Sequence, residues 1–165
     1  MGAMTVTVYK NKSLTHLLVI MVISFIIASI LSIYPLSTSI AFFRPMWLII
    51  ALIFWLIFQP ARVGVWTAFL IGLIADLLTD SVIGQQALCA VLVAFFIKFI
   101  SSYIKKLSAN LVWALAAACL LLYQACLIIL HFFTQTVFAP QLLYSAIISI
   151  IIWPLWVAAF ARYTR

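Results

Sequence analysis

The sequence predicts an all-α membrane protein, six transmembrane helices in one bundle. Three observations lead there. Apolar residues make up 69% of the 165 and charged residues only 7%, with a mean hydropathy of +1.36. Ordinary soluble domains are roughly half apolar and a quarter charged, so too little polar surface remains to face water. Apolar runs near the roughly 20 residues that cross a bilayer core recur along the chain, and the basic residues gather in alternate breaks between them.

Each span follows from a run and its punctuation. Leu14–Tyr34 is the first, and Pro35 with "LSTS" ends it. Met46–Gln59 is the second, only 14 residues and so roughly 21 Å long. Pro60 turns the chain into the third, Val63–Leu78, and Gln85–Tyr103 forms the fourth. Ala109–Phe132 and Gln141–Phe160 are the fifth and sixth; Pro154 removes one backbone donor from the last and should kink it. Period-two alternation is rare, and only helices or closed barrels satisfy the backbone in lipid, so helices are expected. The domain plan is a polar tail over 1–13, a membrane domain over 14–160 and a tail over 161–165, with Met1–Ala3 read as a cloning scar before a native start at Met4.

Six spans put both termini on one side. That side collects Lys10, Lys12, Arg62, Lys98, Lys105, Lys106, Arg162 and Arg165, and the other keeps Arg44 alone. Basic residues concentrate in cytoplasmic loops, so both termini should be cytoplasmic. The net charge of +7 is spread too thinly over an apolar chain to form a nucleic-acid patch. Cys89, Cys119 and Cys126 lie in apolar runs, without a paired spacing for disulfide or metal, and read as packing residues.

The two acidic residues, Asp76 and Asp80, both fall in "GLIADLLTDSVIG". Arg44 and Asp76 each lie sixteen positions from the Pro60 corner, on opposite sides of it. In an antiparallel hairpin equal offsets mean equal depth, roughly 24 Å from the corner. An intramembrane ion pair between them would relieve the cost of two buried charges. It also predicts that exchanging them, Asp76→Arg with Arg44→Asp, restores part of what either change loses. Asp80, a turn further out, is the alternative partner of Arg44. The competing readings have either charge contact a partner or ligand, or make each a simple interfacial anchor.

Gly64, Ala68, Gly72, Asp76 and Asp80 recur in steps of four, a small-residue stripe that lets helices approach closely in lipid. The second and third spans are thus expected to form the organising hairpin, with the Gly64–Gly72 stripe open to a partner helix. Gln124 and His131 could line an outer pocket, although a histidine near a membrane interface is ordinarily an anchor. Ser29, Ser32, Gln85 and Gln86 are the other interior polar candidates. Five tryptophans (47, 66, 113, 153 and 156) suit interfacial belts, and Trp55, mid-span, suits packing on a neighbouring helix.

Enzyme chemistry is poorly provided for. An aspartyl dyad needs two carboxylates sharing a proton, whereas Asp80 falls at the membrane rim. A serine nucleophile needs a histidine base, and His16 and His131 fall at opposite membrane faces. Metal ligands at usable spacing are lacking, and no cofactor is expected.

The run "FFRPMWLIIALIFWLIFQPARVGVWTAFLIGLIADLLTDSVIGQQAL", Phe42 to Leu88, resembles the MreD family of bacterial rod shape-determining membrane proteins. The likeness rests on Phe43, Arg44, Pro45 and Trp47, then Pro60, Arg62 and Val63, then Gly72, Asp76 and Leu77, then Gly84, Ala87 and Leu88, in this order and spacing. It continues more weakly in length, span number and the Trp153–Pro154 pair. The resemblance implies a non-enzymatic scaffold of cell elongation in the bacterial inner membrane, partnering MreC, a single-span protein. A wider assembly of RodA, a class B penicillin-binding protein and, indirectly, MreB is implied too. It further implies likeness to the six-helix substrate-binding subunits of energy-coupling-factor transporters. A lipid- or small-ligand-binding subunit is the alternative reading, and self-association is a further expectation.

Overall fold

The computed structural model describes residues 14–33, 45–79, 82–103, 109–133 and 141–164, all helix or short turn. Six helices follow in order: α1 (Leu14–Ile33), α2 (Trp47–Phe58), α3 (Val65–Leu78), α4 (Gln85–Tyr103), α5 (Ala109–Phe133) and α6 (Gln141–Thr164). No strand occurs among the described residues. α1 and α5 are long and apolar enough to cross a membrane, and α2, α3, α4 and α6 contain shorter apolar stretches.

Much of the surface is apolar, and several polar side chains are buried inside. α1 turns Leu18, Val19, Val22, Ile23, Ile26, Ile27 and Ile30 outward, while Ser24 is fully buried. Asp76, Gln85, Gln124 and Ser149 are buried as well. This inversion is what a lipid solvent selects, because apolar surface costs nothing there and polar groups must find partners within the protein.

α2 resolves its own shortness. Its 12 residues reach roughly 18 Å, less than a bilayer core requires. Yet every residue from Leu48 to Leu56 is buried, so the helix is apolar all round because it is the core, packed among the other five. Pro45 and Met46 are not helical, so α2 begins at Trp47. The Met46 N–H instead donates to Ser149 Oγ at 3.0 Å. α2 thereby starts level with Ser149, eight residues and roughly 12 Å into α6.

Aromatic packing joins α2 to α6 in parallel. Phe54 lies 6.4 Å from Trp153 and 6.1 Å from Phe160 between ring centroids, and Trp47 lies 6.0 Å from Trp156. The interfacial-belt expectation therefore fails for Trp153 and Trp156, which are core residues. Trp66, at 82% exposed, and Trp113 do face outward. Trp55 is buried beside α1, its indole N–H donating to Ser24 Oγ at 2.7 Å. Ser24, rather than Ser29 or Ser32, is the interior acceptor. Ser29 returns its hydroxyl to Phe25 O on its own helix.

The organising hairpin is α3 with α4, not α2 with α3. At Gly72 the two backbones come so close that a Cβ built there would sit 2.4 Å from Ala87 Cα and 2.9 Å from Gln86 O. The α2–α3 connection is by comparison a plain turn. Gln59 O accepts from the Arg62 and Val63 N–H groups at 3.0 and 3.1 Å, and Pro60 is exposed at the tip.

Candidate functional site: a carboxylate latch between α3 and α4

Asp76 is 1% exposed, in the last turn of α3. Its Oδ2 accepts from the Gly84 N–H at 2.8 Å and the Ala87 N–H at 3.3 Å, and its Oδ1 from the Gln86 N–H at 2.9 Å. These donors belong to the start of α4, where N–H groups have no partner within the helix and the helix dipole favours negative charge. The segment "VIGQQ" offers no Ser, Thr, Asp or Asn as a cap of its own. Asp76, eight positions before Gly84, caps α4 from the helix before it.

The turn between the helices is shaped to reach that carboxylate. Gly84 adopts φ +99°, a left-handed conformation that side chains rarely accept. Although a Cβ at Gly84 would meet open space, Gly84→Ala should cost on the order of 1 kcal/mol through backbone strain alone. A lowered melting temperature of the purified protein, without change in helix content by circular dichroism, checks this.

Side chains extend the latch. The Gln86 amide donates to Thr79 Oγ1 and, at 3.3 Å, to Ala75 O. Its Oε1 accepts from the Tyr123 hydroxyl of α5 at 3.1 Å. Three helices are thus tied at one end of the bundle through Asp76, Gln86 and Tyr123.

The remaining sequence candidates divide plainly. Arg44 and Asp80 lie outside the described residues, so the Arg44–Asp76 ion pair does too. Pro45 O accepts from the Trp47 N–H at 3.0 Å before α2. Ala68 and Gly72 are buried, and the Gly72 side of α3 is filled by α4. The expectation of an open stripe for a partner helix is therefore corrected at Gly72: the close approach is used within the chain. Gly64, by contrast, has nothing within 4 Å of a built Cβ.

Gln124 is 2% exposed, and both its amide atoms are buried without a hydrogen-bond partner. His131, two turns along α5, has Nδ1 2.9 Å from Leu127 O. The two predicted pocket residues thus share no hydrogen bond. Arg62 Nη1 is also buried and unpartnered. Tyr123 is the functional-site residue that sequence reading missed, since an aromatic within an apolar run carries no sign that its hydroxyl is engaged.

Comparison with known proteins gives the family. A profile described as rod shape-determining protein MreD matches residues 12–164. The chain belongs to the MreD family. A curated relative, the rod shape-determining protein MreD of Haemophilus influenzae, is 27% identical over 142 residues, which cover 86% of this chain and 87% of the relative. No solved structure matches. In this MreD-family chain, Gly72, Asp76, Gly84 and Ala87 of the run that resembled the family are the residues that close α3 onto α4.

Proposed function

We propose that this chain is a membrane scaffold of the bacterial cell-elongation machinery, embedded in the inner membrane as a multi-pass protein with both termini cytoplasmic. The single observation that carries the proposal is the MreD-family match along nearly the whole chain. The charge asymmetry between alternate loops supports the orientation. The outward apolar faces of α1, α3, α4 and α5 support docking through membrane helices rather than through large extramembrane surfaces. MreC is the proposed direct partner, with RodA, a class B penicillin-binding protein and MreB further out in the assembly and self-association as an additional mode. The role is a non-enzymatic one: Asp76, Gln86 and Tyr123, the polar residues of the site, tie helices together.

The unpartnered amide of Gln124 supports a second reading, in which the bundle holds a lipid or small ligand as energy-coupling-factor binding subunits do. A buried primary amide requires a partner or a bridging water. A bound lipid retained by the wild type and lost on Gln124→Leu would favour it.

Expression in rod-shaped cells depleted of their own MreD tests the main proposal. The chain should restore rods, and an affinity-tagged copy solubilised in mild detergent should recover MreC. Cells that stay round although the chain is folded and membrane-inserted would overturn the proposal, as would rods restored without any recoverable MreC.

A further inference from the structure

A second polar region lies at the other end of the α3–α4 hairpin and holds only positive charge. Gly72 against Ala87 sets the register of the two antiparallel helices. From Gly72 the chain runs back through Ala68 to Gly64, roughly 12 Å away, and reaches Arg62 two residues later. From Ala87, Lys98 lies eleven residues further on, roughly 16 Å along α4 and rotated only about 20° around it. Lys98 is therefore on the stripe of α4 that faces α3, at the level where the helical part of α3 has given way to the Arg62–Gly64 turn. Its exposure there fits that ending.

Three features make this end suited to an anion. Arg62 Nη1 is buried with no acceptor among the described residues. Gly64 contributes no side chain and leaves open space beside the start of α3. The Gly64 N–H is taken by Thr67 Oγ1 at 2.9 Å. The first intrahelical bond of α3 runs from the Ala68 N–H to Gly64 O, so only the Val65, Trp66 and Thr67 N–H groups precede it and lend the positive end of the helix dipole to the two cations. Among the described residues the one acidic side chain, Asp76, is engaged at the α4 latch toward the opposite end of α3 and so does not neutralise the pair.

We propose that Arg62 and Lys98 together hold a phosphate group, supplied by the headgroup of an anionic phospholipid, at this end of the α3–α4 hairpin. An arginine fork and a nearby ammonium are the donors such a group takes, and basic pockets between membrane helices bind anionic headgroups by this chemistry. The lipid would clamp the hairpin at the end remote from Asp76.

The test is native mass spectrometry of the purified protein titrated with phosphatidylglycerol, phosphatidylcholine or inorganic phosphate. Wild type should retain phosphatidylglycerol in preference to phosphatidylcholine. Lys98→Gln, at an exposed position that should not disturb folding, should weaken that binding about five-fold, the worth of one membrane-proximal cation. Arg62→Gln should weaken it further and Arg62→Lys less. Lys105→Gln with Lys106→Gln should leave it unchanged. If millimolar inorganic phosphate displaces the lipid, the phosphate site stands with a free anion as its occupant. Equal binding by wild type and Lys98→Gln overturns the proposal, as does equal loss in the Lys105/Lys106 variant or no preference over phosphatidylcholine.

Discussion

Gly72→Ala should be the most damaging single-methyl change in the described helices. The added Cβ would lie 2.4 Å from Ala87 Cα and 2.9 Å from both Ala87 N and Gln86 O, where carbon atoms ordinarily rest about 3.5–4 Å apart. Each of those atoms is main chain, so no rotamer change relieves the overlap. α4 would have to retreat by on the order of 1 Å. That retreat also stretches the bonds from the Gln86 and Ala87 N–H groups to Asp76. Overpacking of a tight core costs about 3 kcal/mol at its upper end, which for a chain of this length corresponds to a fall on the order of 10 °C in melting temperature. Thermal unfolding in detergent, followed by tryptophan fluorescence, reads it. Gly72→Leu should prevent accumulation in the membrane altogether. A Gly72→Ala protein that melts with wild type would show that the helices do not meet as closely as described.

Asp76→Asn should have the next largest effect. The carboxylate supplies acceptors to three N–H groups from two oxygens, and asparagine leaves one acceptor oxygen and turns an NH₂ toward the remaining donors. Bonds to a charged acceptor are worth about 1.5–3 kcal/mol, and a buried donor left without a partner adds its desolvation cost. The expected loss is about 3 kcal/mol, measured by the same thermal assay. Asp76→Arg with Arg44→Asp should rescue nothing, contrary to the expectation drawn from the charges alone, because an arginine at position 76 has no acceptor to offer the start of α4. Substantial rescue by that double exchange would mean that the capping bonds contribute little and charge pairing dominates.

The helices were legible from the chain because lipid imposes a simple code: long apolar runs broken by Pro60, by Gly84 or by clustered polar residues. The terminal residues of α3 and α4 fall within two positions of expectation. The role of α2 was less legible. A run such as "WLIIALIFWLIF" is apolar on every face whether lipid or protein surrounds it, so only its short length hinted that Leu48 to Leu56 are buried within the bundle. For the same reason Trp153 and Trp156 could be placed near a span end but not assigned to the core.

At the site the residues were identifiable and their partners were not. Gly72 advertised a close approach, but small residues do not say which helix approaches. Asp76 advertised a buried charge, for which Arg44 is the one opposite charge at matching depth in the sequence. Among the described residues its partners are backbone N–H groups, which carry no side-chain signature, and Arg44 lies outside those residues. One signal was available: α4 begins at "GQQ" without a capping side chain, directly after a short turn from a helix that ends in a carboxylate. An uncapped helix start next to an otherwise unexplained aspartate deserves to be read as one feature.

Hydrogen–deuterium exchange on the peptide spanning Val82 to Ala90 measures the latch where it acts. In wild type the Gly84, Gln86 and Ala87 amides should exchange slowly although they begin a helix, and in Asp76→Asn that peptide should exchange at least about ten-fold faster, the equivalent of 1.4 kcal/mol, while α1 stays unchanged. Equal exchange of the peptide in the two proteins would contradict a carboxylate clamp between α3 and α4.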